Sequence, residues 1–256
     1  MTVPSQTPNL EAGSFCWADV AAGDPTSTHK FFSQLFGWKR KVRPTEDAQA
    51  YSIMTLGGCN VAGICGVEVD APNQWMSYLL VDDLIQATER AVALGAKTLR
   101  ENIEIPRFGR MTVIEDPVGA VLALWQTREK EAPSSRKHGT VSWFELITES
   151  LDEAANFYCR LTGWSKEILE VGQSRHIVFT QRGEEKSGMM RPLRSENKGR
   201  SFWLVYFSVD DCDEAARRCE ELGGGVVDSP YEIEGVGRCA IVTDPSGGSF
   251  GIVEYH

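Results

Sequence analysis

This chain is written twice. Gly37-Trp38 returns 126 residues later as Gly163-Trp164, and an aromatic pair precedes each, Phe31-Phe32 and Phe157-Tyr158. Phe15-Cys16-Trp17-Ala18-Asp19 returns at the same offset as Val141-Ser142-Trp143-Phe144-Glu145. Farther along the offset becomes 128: Val81-Asp82-Asp83 matches Val209-Asp210-Asp211, Leu94-Gly95 matches Leu222-Gly223, and Gly109-Arg110 matches Gly237-Arg238. Asp116-Pro117 with Gly119 matches Asp244-Pro245 with Gly247. Ordered landmarks with one two-residue slip mark the tandem duplication of a domain, so a single architecture must serve residues 1–126 and 139–256. Residues 127–138 are polar, contain a proline and lack apolar periodicity, and read as the linker.

Within each copy the pattern is strand, helix, strand, strand, strand, made twice. Phe15–Val20 alternates as a strand; Asp24 or Thr26 can cap the helix that follows, whose Phe31, Phe32, Leu35 and Phe36 share a face. Strands are predicted at Arg40–Arg43, Tyr51–Leu56 and Asn60–Val67, with Gly57-Gly58 as a hairpin turn. The next unit opens with Met76–Val81. Asp82-Asp83 starts its helix and Gly95 stops it, before strands at Thr98–Glu101, Met111–Glu115 and Val121–Trp125. In the second copy the same order predicts helices over Leu151–Leu161 and Cys212–Leu222, with strands at Val141–Ile147, His176–Thr180, Phe202–Val209, Arg238–Thr243 and Phe250–Glu254.

The net charge of −10 is weighted toward the second copy and offers no basic surface for phosphate, which excludes nucleic acid as the expected partner. No apolar run approaches a membrane span, and the Met1–Gly13 start has no signal-peptide core. Seven cysteines, odd in number and mostly within apolar segments, suit the reduced core of a cytoplasmic protein. P-loop, dinucleotide, nucleophile-elbow and paired-cysteine zinc motifs are absent.

The Leu35-Phe36-Gly37-Trp38 and Leu161-Thr162-Gly163-Trp164 helix ends, the Val-Asp-Asp helix starts, the Leu-Gly stops and the Asp-Pro-x-Gly turns together resemble the vicinal oxygen chelate superfamily (glyoxalase, bleomycin-resistance and dioxygenase proteins), in particular a two-domain glyoxalase-like bacterial subgroup. The resemblance covers residues 14–126 and 140–256. It implies an α+β fold with four βαβββ units forming two cup-shaped mixed sheets, paired as a pseudo-dimer within one chain and open to further homo-oligomerisation.

Metal-dependent members of that superfamily place His or Glu on the first strand of each unit and Glu on the last. Carried over, those positions fall on Trp17, Met76 and Ala123 in the first copy and on Trp143, Leu204 and Gly251 in the second. None of the six supplies a carboxylate or imidazole, so neither a metal nor another cofactor is expected.

What remains is a set of candidates. Asp19 and Glu145 lie two residues past the lost ligand position, on the same strand face as Trp17 and Trp143, and could serve as proton acceptors or ligand-positioning groups; a hydrogen-bonded structural carboxylate is the alternative. His176 is the one strand-borne histidine and a candidate for proton transfer. Trp17, Tyr78, Trp125, Trp143 and Tyr206 could clamp a planar or cationic organic ligand, or simply fill the core. Arg110 and Arg238 could meet a carboxylate, or pair with Asp116 and Asp244, which otherwise read as turn formers. The expected function is binding or conversion of a small organic ligand without the superfamily's metal. Alternatives are a metal-dependent lyase or dioxygenase using displaced carboxylates, and a non-catalytic interaction protein whose cups are packed shut. With Glu145, His176, and a glycine at 251 that promises extra room, the second cup is the expected working site.

Overall fold

A computed structural model describes residues 11–42, 51–67, 73–128, 137–171, 174–186, 188–191 and 201–256. Most of the expected linker (129–136) and the Arg43 end of one expected strand lie outside the described residues. The first copy comprises β1 (Phe15–Ala22), α1 (Pro25–Phe36), β2 (Lys39–Val42), β3 (Tyr51–Leu56) and β4 (Cys59–Gly66), then β5 (Gln74–Leu80), α2 (Leu84–Ala93), β6 (Lys97–Ile105), β7 (Gly109–Glu115) and β8 (Val121–Thr127). The second begins with β9 (Val141–Ile147), α3 (Leu151–Thr162), β10 (Ser165–Val171), β11 (Ser174–Gln181), β12 (Glu184–Glu185) and β13 (Met189–Arg191). It ends with β14 (Phe202–Ser208), α4 (Cys212–Glu221), β15 (Gly225–Ile233), β16 (Gly237–Thr243) and β17 (Ser249–Tyr255). The two-residue strand β12, which pairs with β11, has no counterpart among the predicted elements.

Each copy is one mixed sheet. The order is β2-β3-β4-β1-β5-β8-β7-β6 in the first and β10-β11-β13-β9-β14-β17-β16-β15 in the second. At the centre, β1 runs parallel to β4 and antiparallel to β5, and β5 runs parallel to β8. The four βαβββ units are therefore joined in pairs through their first strands. This is the expected α+β architecture.

The helices begin and end where local chemistry allows. The Asp24 carboxylate accepts the Thr26 and Ser27 amides, Pro25 occupies the first helical turn, and Gly37 closes α1 at φ 73°, a conformation glycine adopts without a Cβ penalty. Asp83 and Asp211 cap α2 and α4. A second acceptor at each of these two starts comes from the last strand of the same sheet: Gln126 takes the Leu84 amide and Glu254 the Cys212 amide.

Strand alternation divides each sheet into two faces. In β1, Ala18, Val20 and Ala22 join a core that is continuous across both copies, while Trp17 and Asp19 point to the other face. The helix-bearing faces of the two sheets pack against each other. Phe15 stacks on Phe144 at 4.5 Å, Phe36 meets Phe207 at 5.2 Å, and Phe31 meets Phe250 at 6.2 Å. Two bonds related by the repeat close this interface: the Trp38 indole donates to the Gly139 carbonyl (2.7 Å), and Trp164 donates to Gly13 (2.8 Å). That explains why Gly-Trp recurs: each indole reaches the segment entering the other copy. The Asp-Pro turns lie at the same junction. Asp116 binds the Ala120 and Val118 amides within its turn and accepts the Tyr158 hydroxyl across the interface at 2.6 Å. Asp244 accepts the Asn73 amide across the interface at 2.7 Å.

Candidate ligand-binding site

In the first copy, the cup face brings together one carboxylate and an aromatic wall. Asp19, 5 % exposed, sits at the centre of β1. Its Oδ2 accepts the Tyr78 hydroxyl at 2.7 Å from the adjacent β5, and its carboxylate also takes a hydrogen bond from the Tyr51 hydroxyl on β3. The Trp17 indole donates in turn to the Tyr51 oxygen at 2.9 Å. Gly63 of β4 lies directly opposite Asp19. A Cβ there would come within 2.2 Å of the Tyr51 hydroxyl oxygen, so this glycine admits the tyrosine. Burial pushes the Asp19 pKa up to about 6 despite the two hydroxyl bonds, because removing a carboxylate from water penalises its charged form more than these bonds favour it. Desolvation and the neighbouring Asp19 charge push both tyrosines well above the ordinary phenol range. Tyr51, Met76, Tyr78, Met111 and Trp125 are half-buried around this centre, with Trp125 edge-on to Tyr78 at 6.1 Å.

The second cup repeats the plan and fills it. Glu145, 3 % exposed, takes the place of Asp19 and accepts the Tyr206 hydroxyl at 2.5 Å. The register equates His176 with Tyr51: Glu145 faces Met189 as Asp19 faces Gly63, and Ile177 faces Met190 as Ser52 faces Ile64. His176 is buried, and the alternation of β11, with Ile177 and Phe179 in the shared core, turns it to the cup face.

The room expected at Gly251 does not exist. The Tyr206 ring lies over it, and a Cβ on Gly251 would meet ring carbons at 2.1 to 2.5 Å. Ile147, Leu204, Tyr206, Cys239, Ile241 and Val253 pack into a buried cluster on this face. Val253, which stands where the first cup has Trp125, is itself buried in this cluster. Gly251 therefore gives the second cup no advantage in space, and the half-buried rings of Tyr51, Tyr78 and Trp125 lie in the first.

Other candidates separate from the site. Arg110 donates to Gln126 at 2.9 Å, and Arg238 makes a two-pronged ion pair with Asp213 at the start of α4 (2.5 and 2.9 Å). Both arginines therefore turn to the helix side, and neither pairs with Asp116 or Asp244. Trp203 is also on that side, its indole bound to the Tyr158 oxygen at 2.8 Å. Trp17, Tyr78 and Trp125 gather around Asp19; Trp143, Tyr206 and His176 share the face of Glu145. Tyr51 was missed, because the offset at this strand is 125, matching neither of the two read from the landmarks.

The donor set does not fit a divalent cation at the superfamily's usual position. Trp17, Met76 and Ala123 line the first cup there, and the Asp19 carboxylate is occupied by tyrosine hydroxyls. Among the described residues, no three His, Cys, Asp or Glu side chains are grouped to hold a metal ion.

Paired βαβββ units around a central cup, made twice in one chain, define a tandem glyoxalase-type protein. The chain belongs to the Glyoxalase/Bleomycin resistance protein/Dioxygenase superfamily: residues 140–251 match that family, and residues 17–125 match its Glyoxalase-like domain. It is similar to CFP32 of Mycobacterium tuberculosis, provisionally named a glyoxylase, with 33 % identity over 93 % of each chain. It is also similar to the anthracycline biosynthesis protein DnrV of Streptomyces peucetius, with 28 % identity over 94 % of this chain and 93 % of the relative. In fold it is similar to the Mn(II)-bound glyoxalase of Novosphingobium aromaticivorans (TM-score 0.70, 13 % identity, 95 % of this chain and 82 % of the other). The 2,3-dioxygenase LapB of Pseudomonas sp. KL28 shares the fold as well (TM-score 0.67, 16 % identity, 95 % and 93 %).

Proposed function

We propose that the first cup binds a small, flat organic molecule without the divalent cation that other superfamily members use, and that Asp19 is its polar anchor. The observation behind this is the buried Asp19 carboxylate, fixed by Tyr78 and Tyr51 beneath half-exposed aromatic side chains, at the centre of a cup whose inherited ligand positions hold Trp17, Met76 and Ala123. Phenol donors do for this carboxylate part of what a metal would do. They hold its orientation and favour its charge while leaving it an acceptor. With a pKa near 6 it is ionised at neutral pH yet basic enough to take a proton from an acidic O–H or C–H of a bound molecule. The half-buried rings of Tyr78, Trp125 and Tyr51 supply flat apolar surface to exclude water around that contact. The names of relatives, a glyoxylase and an anthracycline biosynthesis protein, both concern small organic molecules. In the second cup, the Glu145–Tyr206 pair is structural, stabilising a packed face.

Metal analysis of the purified full chain, combined with calorimetric titration of aryl ligands, tests this. The expected result is no stoichiometric Zn²⁺, Ni²⁺, Fe²⁺ or Mn²⁺, with ligand binding abolished by Asp19→Asn and retained by Glu145→Gln. One tightly held cation per chain, lost in either variant, would establish displaced-carboxylate metal chemistry instead. Loss of binding confined to Glu145→Gln would move the site to the second cup.

A further inference from the structure

We propose that Arg100 is the specificity-determining residue of the first cup and selects an organic anion, a carboxylate borne on a flat ring. This rests on the first cup being the binding site. Cross-strand register lays out a single line of cup residues: Trp17 faces Tyr78, Tyr78 faces Ala123, Ala123 faces Val113, and Val113 faces Arg100. Directly opposed residues share a face, and Ile114 beside Val113 belongs to the core of the other face, so Arg100 belongs with the cup. The pairing of β6 with β7 is irregular on both sides of Arg100, and Asn102 just beyond takes a left-handed φ of 48°. Irregularities of this kind re-aim side chains at sheet edges.

The charge of Arg100 is felt across the cup. Its positive charge lowers the pKa of the Cys65 thiol on β4, against the upward push of burial. Four strands lie between β4 and β6, so a flat sheet would separate them by about 24 Å, at roughly 4.8 Å per strand. Only a sheet curled into a cup, with the guanidinium leaning inward from its edge, brings that charge to bear. Arg100 is exposed, and among the described residues its guanidinium has no hydrogen-bond or ion-pair partner. It contrasts with Arg238, whose guanidinium is held by Asp213 in a two-pronged pair, and with Arg110, whose Nε–H donates to Gln126. A free planar fork beside an aromatic wall fits a carboxylate. Ala123 and Val113 keep the floor between Tyr78 and Arg100 low, so a ring can lie there with its charged end at Arg100 and its other end toward Asp19.

The duplication supplies an internal control. Asp228 faces Ile241 in β15 and β16 as Arg100 faces Val113, and Ile241 faces Gly251 as Val113 faces Ala123. The same place therefore carries an exposed arginine in the first copy and a buried aspartate in the second. The positive charge at this place is therefore particular to the first cup.

Isothermal titration of the full chain with 1-naphthoate, the neutral 1-naphthamide and 1-naphthylmethylammonium reads this directly. Wild type should bind the carboxylate about tenfold more tightly than the amide, as a charge-assisted pair at a partly exposed site implies, and the ammonium most weakly. Arg100→Gln should bring carboxylate affinity down to that of the amide, Arg100→Lys should retain part of the preference, and Asp228→Asn should leave it unchanged. If wild type binds carboxylate and amide alike, or if Arg100→Gln keeps the tenfold preference, Arg100 does not select the ligand, although the first cup still binds one. If none of the three probes binds wild type, the assignment of the cup fails and the inference fails with it.

Discussion

Asp19→Asn removes one charge and almost no volume, which makes it the sharpest probe of the site. Burial raises the Asp19 pKa from 3.8 to about 6 in the folded chain. Between those values the folded state holds a proton that the unfolded state has released, so the Asp19 contribution to stability falls as pH rises. It is fully present below pH 4 and lost once pH passes about 6. Two pKa units amount to about 3 kcal/mol, the cost at neutral pH of keeping this carboxylate ionised inside the cup. Asparagine pays none of that cost. Its amide must still fit between Tyr78 and Tyr51, which introduces an offset of either sign, but that offset is the same at every pH.

The diagnostic is therefore the slope. Urea unfolding of wild type and variant from pH 4 to pH 7.5 should show the variant gaining on wild type by about 2.5 kcal/mol over that range, because the unfolded carboxylate is already partly ionised at pH 4. Ligand binding should do the opposite: abolished in the variant, and in wild type weakening as pH falls through 6 and Asp19 takes up its proton. A stability difference that stays constant with pH would refute the reasoning, since it would mean Asp19 titrates alike folded and unfolded. A variant that loses ground as pH rises would mean the tyrosine hydroxyls outweigh burial. Stabilisation by a change that destroys binding would itself mark Asp19 as a functional group maintained against the stability of the fold.

Gly251→Ala should force the Tyr206 ring off its seat and weaken its bond to Glu145, lowering stability by about 1–3 kcal/mol, the usual cost of overpacking, as checked by thermal unfolding. Tyr158→Phe should cost about 2 kcal/mol in denaturant unfolding, because it strips Asp116 of a donor and the Trp203 indole of its acceptor in one step. The converse change, Phe32→Tyr, should be neutral to mildly stabilising, since it offers the Trp75 indole an acceptor that it lacks among the described residues.

The fold was legible because duplication doubles every signal. Asp83 and Asp211 cap equivalent helices and Gly37 and Gly163 end equivalent ones, so these readings in one copy are checked by the other; the Asp24 cap is not, since its counterpart Ser150 makes no side-chain cap bond. The site was legible only in part. Strand alternation puts Asp19 and Tyr78 on one face, but a lone Gly251 suggests empty space, and only the neighbouring strand shows that Tyr206 occupies it. His176 and Tyr51 share a position hidden by a one-residue change of offset. Arg100 lies where an irregular edge breaks the alternation from which its direction could have been read.

The interface shows why sequence pairing of the two copies reaches a limit. Phe32 and Tyr158 occupy equivalent places, but only Tyr158 carries a hydroxyl. In one half that hydroxyl joins Trp203 to Asp116. In the other, Asn73 arrives from before β5 to satisfy Asp244, and Trp75 keeps an indole N–H edge-on to Phe32 at 5.6 Å. A buried carboxylate must find a donor, and each copy found a different one. The same constraint governs the cups. With Trp17 and Trp143, Met76 and Leu204, and Ala123 and Gly251 at the positions where metal-dependent relatives carry ligands, the buried Asp19 and Glu145 each take a tyrosine hydroxyl as donor. Tyr206 meets the need with its ring lying over Gly251, within a packed cluster on that face. Tyr78, opposite Ala123 in the register, meets it with a ring that stays half-buried beside Trp125.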